Sequence, residues 1–244
     1  MHLSNRKSKK MTILADNLIK IEPLGENQKK VFKAYDEGKN VFCSGIAGSG
    51  KTFILLYLAL KEVLDKTTKV EKVILTRSLL PSRDVGFLPG TIEEKSDLYQ
   101  DPYRILVKYL FQMSSDQEFI QLYDKLIAQG TLEFISTSFL RGQTFDRAVI
   151  ICDEFQNMLF HELDTLITRV GQESRIMFAG DIEQTDLRKH NGDREGIAKF
   201  QAILHSMKEF VCVEFNFGDI IRSGLVKSYL IAKTNLGFRT QDFT

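Results

Sequence analysis

The segment GIAGSGKT, Gly45 to Thr52, stands between the apolar run VFCS and the helical pattern FILLYLALKEVL. It leaves few folds open. A glycine-rich turn joining a strand to a helix and ending in Lys-Thr fits the phosphate-loop pattern G-x-x-x-x-G-K-[ST]. Gly45, Gly48 and Gly50 let successive backbone N–H groups point inward, and a helix starting near Lys51 adds its positive end to the same concavity. Phosphate oxygens suit such a site. Ile46, Ala47 and Ser49 complete the loop; Lys51 is expected at the β- and γ-phosphates, and the Thr52 hydroxyl at a Mg²⁺ ion shared with them. The competing reading is an ordinary strand-to-helix turn with a solvated lysine, which would make the motifs downstream a coincidence.

Strand-like runs recur along the chain at 41–44, 72–77, 131–137, 148–154, 175–180 and 210–215. Several are apolar throughout, as strands covered on both faces are. Helical patterns at 52–65, 116–128, 160–170, 194–208 and 218–233 separate most of them. This alternation predicts an α/β fold with a mostly parallel, doubly wound sheet and helices on both faces. Residues 78–112 read as an irregular insertion, with a turn at GFLPG followed by charged, partly helical sequence.

Ligands of such sheets gather at the carboxyl ends of the strands, and the remaining candidates fall there. VIICDE ends in Asp153 and Glu154: Asp153 is placed to hold Mg²⁺, and Glu154 to orient or deprotonate an attacking water. GDIEQ supplies Gly180, Asp181 and Gln184, with Gln184 either sensing a γ-phosphate or forming part of a polar turn. Gln28, in NQKKVFKAY, can donate and accept at once and so match adenine; by itself it also reads as a solvated residue on a helix. Phosphoryl transfer builds negative charge that a cation outside the loop can stabilise. Arg77, Arg141 and Arg222 are candidates, with Arg222 preferred, acting in its own chain or in a neighbour.

Composition excludes some classes. The formal net charge is +1, so nucleic-acid contacts require local patches. Arg6, Lys7, Lys9 and Lys10 form one such patch, readable as a solubilising tail or a phosphate-touching arm. Tyr99, Tyr103, Arg104 and Lys108, or Phe139 with Arg141, offer aromatics beside basic residues for single-strand stacking; the alternative is that these rings belong to the core. Cys43, Cys152 and Cys212 lie singly in apolar runs and read as buried thiols of a cytoplasmic protein. No apolar run approaches a membrane span of about 20 residues, so no membrane partner is expected. The guanine-reading N-K-x-D run is absent, which argues against a GTPase. A small-molecule kinase would need an acceptor pocket, for which GFLPG with Glu93 and Glu94 is the candidate.

Taken in order, NQK, the phosphate loop, TR, GFLPG with EEK and DPY, SFLRG, VIICDEFQN, LITRVG, GDIEQTDL and DIIRSGLV resemble the PhoH-like family of P-loop ATPases, especially short phage-type members. The match covers about 22–234, leaving a basic arm at 1–21 and a tail at 235–244. The resemblance implies a RecA-like core related to superfamily-one helicases, ATP and Mg²⁺ as cofactors, and RNA or single-stranded nucleic acid as a partner. A homo-oligomer, of ring form in some members, is also implied. Gln28 corresponds to the adenine-reading glutamine, Lys51 and Thr52 to Walker A, Asp153 and Glu154 to Walker B, Gln184 to the γ-phosphate sensor and Arg222 to the late arginine. TRSLLPSRDVGFLPG and DEFQN depart from the usual TRP and DEAQN, which leaves the 78–90 loop without an assigned role. A fused PIN nuclease domain, found in some relatives, is not expected.

Two functional classes share this pocket. One is an ATPase that moves on or remodels single strands; the other is a slow ATP-dependent switch or scaffold whose nucleotide state controls assembly.

Overall fold

The computed structural model describes residues 13–78, 92–113, 115–137, 142–184 and 191–236. Six strands form one parallel sheet: β1 (Asn40–Gly45), β2 (Lys72–Arg77), β3 (Leu132–Ser136), β4 (Ala148–Asp153), β5 (Arg175–Ala179) and β6 (Phe210–Phe215). Their order is β3-β2-β4-β5-β1-β6, so one strand, β5, separates the strand entering the glycine loop from the strand ending in Asp153.

Every predicted strand is present, and the reason is visible in the burial. β4 is buried at all six positions, and β1 and β2 at their four central ones. Alternate residues feed two separate cores. Val41, Val73, Leu75, Val149 and Ile151 face one layer, built from α1 (Glu26–Asp36), α2 (Lys51–Leu64), α3 (Ile92–Phe111) and α4 (Asp116–Ala128). Phe42, Ile74, Ile150, Cys152 and Phe178 face the other, built from α5 (Phe160–Ile167) and α6 (Asn191–Ser206). The edge strands β3 and β6 are less covered, which leaves Cys212 half-buried while Cys43 and Cys152 are fully enclosed. The outcome is the RecA-like, doubly wound α/β fold.

The described part of the insertion, residues 92–112, is more regular than its sequence suggests. α3 runs for 20 residues with Pro102 inside it. Proline removes one helical hydrogen bond, yet Tyr103, Val107 and Leu110 recur on one face and are buried, so packing carries the helix past that loss. Helix boundaries elsewhere shift by a few residues: α5 stops at Ile167, and the last helix, α7, spans Gly224–Asn235. Within the stretch read as an arm, Ile13, Leu18, Ile19 and Ile21 pack on the core, and Ile19 N–H donates to the Leu110 carbonyl at 2.8 Å. The basic cluster Arg6 to Lys10 lies outside the described residues, as do GFLPG, Phe139, Arg141, most of the tail, and the side chains of Glu93, Glu94 and Tyr99. Among the described residues no helix is long and apolar enough to cross a membrane.

Candidate nucleotide site

The loop turns where β1 ends against β6. Gly45 has φ 111°, and a Cβ there would fall 2.1 Å from the Phe215 carbonyl oxygen, so only glycine permits this approach. Ile46 N–H donates to that same oxygen at 3.1 Å, and Ser49 Oγ donates to the Ile46 carbonyl at 2.9 Å. α2 then begins at Lys51. Its Nζ is drawn into the loop, donating to the carbonyls of Gly45 and Ile46 at 2.8 Å each. Burial lowers the Lys51 pKa, while the nearby Asp181, Cys43, Asp153 and Glu154 oppose that shift.

Thr52 faces the acidic strand end across the sheet. Its hydroxyl donates to Asp153 Oδ1 at 2.8 Å, and Tyr103 of α3 donates to Oδ2 at 2.8 Å. Both carboxylate oxygens therefore have a neutral hydroxyl partner. Burial raises the Asp153 pKa and the adjoining Glu154 adds to the rise; the two hydroxyls and the charge of Arg77 pull the other way.

Glu154 stands in the left-handed region at φ 53°, ψ 41°, a conformation that costs a non-glycine residue about 1 kcal/mol or more. A short turn, Phe155–Asn157, follows at once. It brings Gln156 back so that Nε2 donates to Glu154 Oε2 while Oε1 accepts from Asp181 N–H at 3.0 Å. Gln156 is buried, and space for it exists because residue 180 is glycine: a Cβ there would meet Gln156 Oε1 at 2.3 Å. Asp181 in turn accepts from Ala47 N–H of the loop at 3.1 Å. Its pKa is raised by burial, against the hydrogen bond from Glu183 N–H and the charge of Lys51. A closed path of hydrogen bonds and charge thus links loop, Asp181, Gln156 and Glu154.

The other candidates take distinct places. Gln28 is buried rather than solvated, with Nε2 donating to the Ser49 carbonyl at 3.2 Å and Oε1 accepting from Leu24 N–H at 2.9 Å. Arg222 lies over its own loop. Ile221 N–H donates to the Gly48 carbonyl at 3.1 Å, and a Cβ on Gly48 would sit 2.9 Å from Arg222 Cγ. Gln184 closes the turn Ile182–Gln184 just beyond β5 and is half-buried. Arg104 covers the rings of Phe119 and Tyr123, and Lys108 pairs with Asp116.

Two contributors escaped sequence reading. Tyr103 ends the DPY motif and is an aromatic beside basic residues, and neither pattern announces a hydroxyl aimed at Asp153. Gln156 is visible in DEFQN, but its bridging role depends on a glycine in a different strand–turn unit.

A family model described as "PhoH-like protein" matches residues 20–233. The chain is 33% identical over 213 residues to the PhoH-like protein of Mycobacterium leprae, covering 87% of this chain and 58% of that one. It is 34% identical over 212 residues to protein PhoH of Escherichia coli K12, covering 85% and 56% respectively. It therefore spans less than two thirds of the length of these relatives. Among solved structures it is similar to the large terminase of a thermophilic bacteriophage, with 14% identity, TM-score 0.45, and coverage of 86% of this chain and 50% of that one. It is likewise similar to the Hef helicase domain of Pyrococcus furiosus, with 11% identity, TM-score 0.41, and coverage of 80% and 40%. On the ordered motifs, the extent of the family match and the identity to its relatives, the chain belongs to the PhoH-like family.

Proposed function

We propose that residues 22–234 form a Mg²⁺-dependent ATPase that transfers the γ-phosphoryl group of ATP to water. The observation that carries this reading is the 2.8 Å contact between Thr52 and Asp153, with Glu154 next in the chain and held by Gln156. It unites a phosphate-binding loop, a metal-binding pair and a candidate base at one strand edge.

In this reading the loop from Gly45 to Thr52, including Ile46, Ala47, Gly48, Ser49 and Gly50, cradles the phosphates through its amides. Phosphate oxygens compete with the Gly45 and Ile46 carbonyls for Lys51. Thr52 and Asp153 offer hard oxygen donors that fit Mg²⁺, which usually takes one or two protein ligands and completes its shell with water and phosphate. Held by Thr52 and Asp153, the ion would supply positive charge to the phosphates. Glu154 accepts a proton from the attacking water, Gln184 orients that water against the γ-phosphate, and Arg222 stabilises the charge that develops. Gln28 serves adenine: its amide already makes one bond at each end, and each end has capacity for one more.

The coupled partner is proposed to be single-stranded RNA or DNA, acting on a homo-oligomer in the reducing cytoplasm. Steady-state hydrolysis with Mg²⁺, with and without each polymer, tests this for the native chain beside Lys51→Ala and Glu154→Gln. Loss of turnover in both variants, with stimulation of the native chain by one polymer, is expected. Slow turnover indifferent to either polymer, with ATP still bound, replaces coupling by a nucleotide-dependent switch.

A further inference from the structure

We propose that Tyr103 is a positioning residue for Asp153, through which α3 sets the chain's affinity for Mg²⁺-bound nucleotide. The inference rests on Thr52 and Asp153 being the metal-holding pair.

Tyr103 belongs to no phosphate-site motif. It arrives from the insertion, and its hydroxyl donates to Asp153 Oδ2 at 2.8 Å while Thr52 occupies Oδ1. The side chain is 3% exposed, and its ring lies 5.6 Å from that of Phe134 on β3. α3 is itself braced against α4, where Arg104 lies 5.2 Å from the Tyr123 ring and Lys108 lies 6.0 Å from the Phe119 ring. The hydroxyl is therefore delivered by a fixed helix rather than by a mobile side chain.

The identity of the donor matters. A lysine or arginine paired directly to Asp153 would cancel the charge that attracts a divalent cation. A tyrosine hydroxyl fixes the plane of the carboxylate and leaves that charge in place. With Oδ2 held by α3 and Oδ1 by Thr52, the carboxylate has little freedom to rotate. Partners behind a metal ligand typically change metal affinity about 10–100-fold when removed.

The test is ADP binding measured across a Mg²⁺ titration and in EDTA, for the native chain, Tyr103→Phe and Phe134→Leu, with thermal melts of each. Tyr103→Phe keeps the ring and removes only the hydroxyl. The expected result is that it needs about tenfold more Mg²⁺ for the same tightening of ADP, with unchanged affinity in EDTA. Phe134→Leu, which loosens the ring contact but keeps the hydroxyl, should retain the native Mg²⁺ dependence. An unchanged Mg²⁺ dependence in Tyr103→Phe, equal weakening with and without Mg²⁺, or native ADP binding indifferent to Mg²⁺ overturns the inference. Hydrolysis is a separate readout. Tyr103-dependent Mg²⁺ binding without turnover removes the ATPase reading alone, whereas turnover with an unaltered Mg²⁺ requirement in Tyr103→Phe removes this inference alone.

Discussion

The two ends of the sheet carry charged clusters of opposite design. At the amino end, Arg175 opens β5 and meets Glu62 in the last turns of α2. Its guanidinium donates to Glu62 Oε1 at 2.8 Å and to the Tyr35 carbonyl at 2.6 Å, and lies 4.5 Å from the Tyr35 ring. The Tyr35 hydroxyl donates to the other Glu62 oxygen. One cation, one anion and one hydroxyl close on themselves. At the carboxyl end, Asp153, Glu154 and Asp181 crowd around a single buried lysine, Glu154 is in a left-handed conformation, and the pKa values of Asp153 and Asp181 are raised. The first cluster ties α1, α2 and β5 together. The second sets three carboxylates against one buried lysine, an excess of negative charge that a cation would offset. On the proposed reading, stability and function are separated along the length of the same strands.

The largest effect that can test this contrast is on turnover. Lys51→Ala and Glu154→Gln should each lower ATP hydrolysis by about 100-fold or more, with melting temperatures at or above the native value; a parallel collapse in stability would show that the carboxyl end also holds the fold together. The amino end should behave in reverse. Arg175→Met leaves Glu62 buried without its cation, and chemical denaturation is expected to show a loss of about 3 kcal/mol, with hydrolysis per folded molecule unchanged.

Gly180→Ala links packing to the site. Its new methyl group would displace Gln156, so a stability loss of about 1–3 kcal/mol should accompany a fall in kcat; a stable variant with native kcat would remove Gln156 from the account. The smallest effect is on pH dependence. Burial lowers the Lys51 pKa, so the unfolded chain holds that proton more tightly, and the lysine costs stability until pH rises through its folded value. Lys51→Met should therefore melt higher than the native chain at neutral pH, and the difference should shrink toward the ordinary lysine range near pH 10. Equal melting of the two chains across that range would contradict the cost assigned to this lysine.

Much of this arrangement was legible because the central strands have no solvent face. VFCS, KVILTR and AVIICDE announce themselves as apolar runs, and each ends in a polar residue at the site edge. The loop was equally plain, since its glycines and lysine answer local geometric demands. α3 was obscured by Pro102 and by its charged first turns, although Tyr103, Val107 and Leu110 already mark a helical stripe. Gln28 resembled a surface residue because its burial comes with a contact to the glycine loop, at the Ser49 carbonyl, that the pattern of its own helix does not show. Tyr103 and Gln156 lie in DPY and DEFQN, but neither motif gave the role of its side chain. Tyr103 meets Asp153 only once α3 has docked, and Gln156 can join nearby Glu154 to the Asp181 N–H only because Gly180 leaves room.

The most direct test of the central claim is to measure thermal stability and ATP turnover together in Asp153→Asn. Asp153 has a raised pKa, so the folded protein holds its proton more tightly than the unfolded chain, and stability falls as pH rises from the ordinary carboxylate range through the folded value. Replacing the carboxylate by an amide should raise stability at neutral pH by about 1 kcal/mol and flatten that decline, while abolishing turnover. A variant that melts lower than the native chain, or one that still hydrolyses ATP at the native rate, would contradict the view that this edge gives up stability to hold its chemistry.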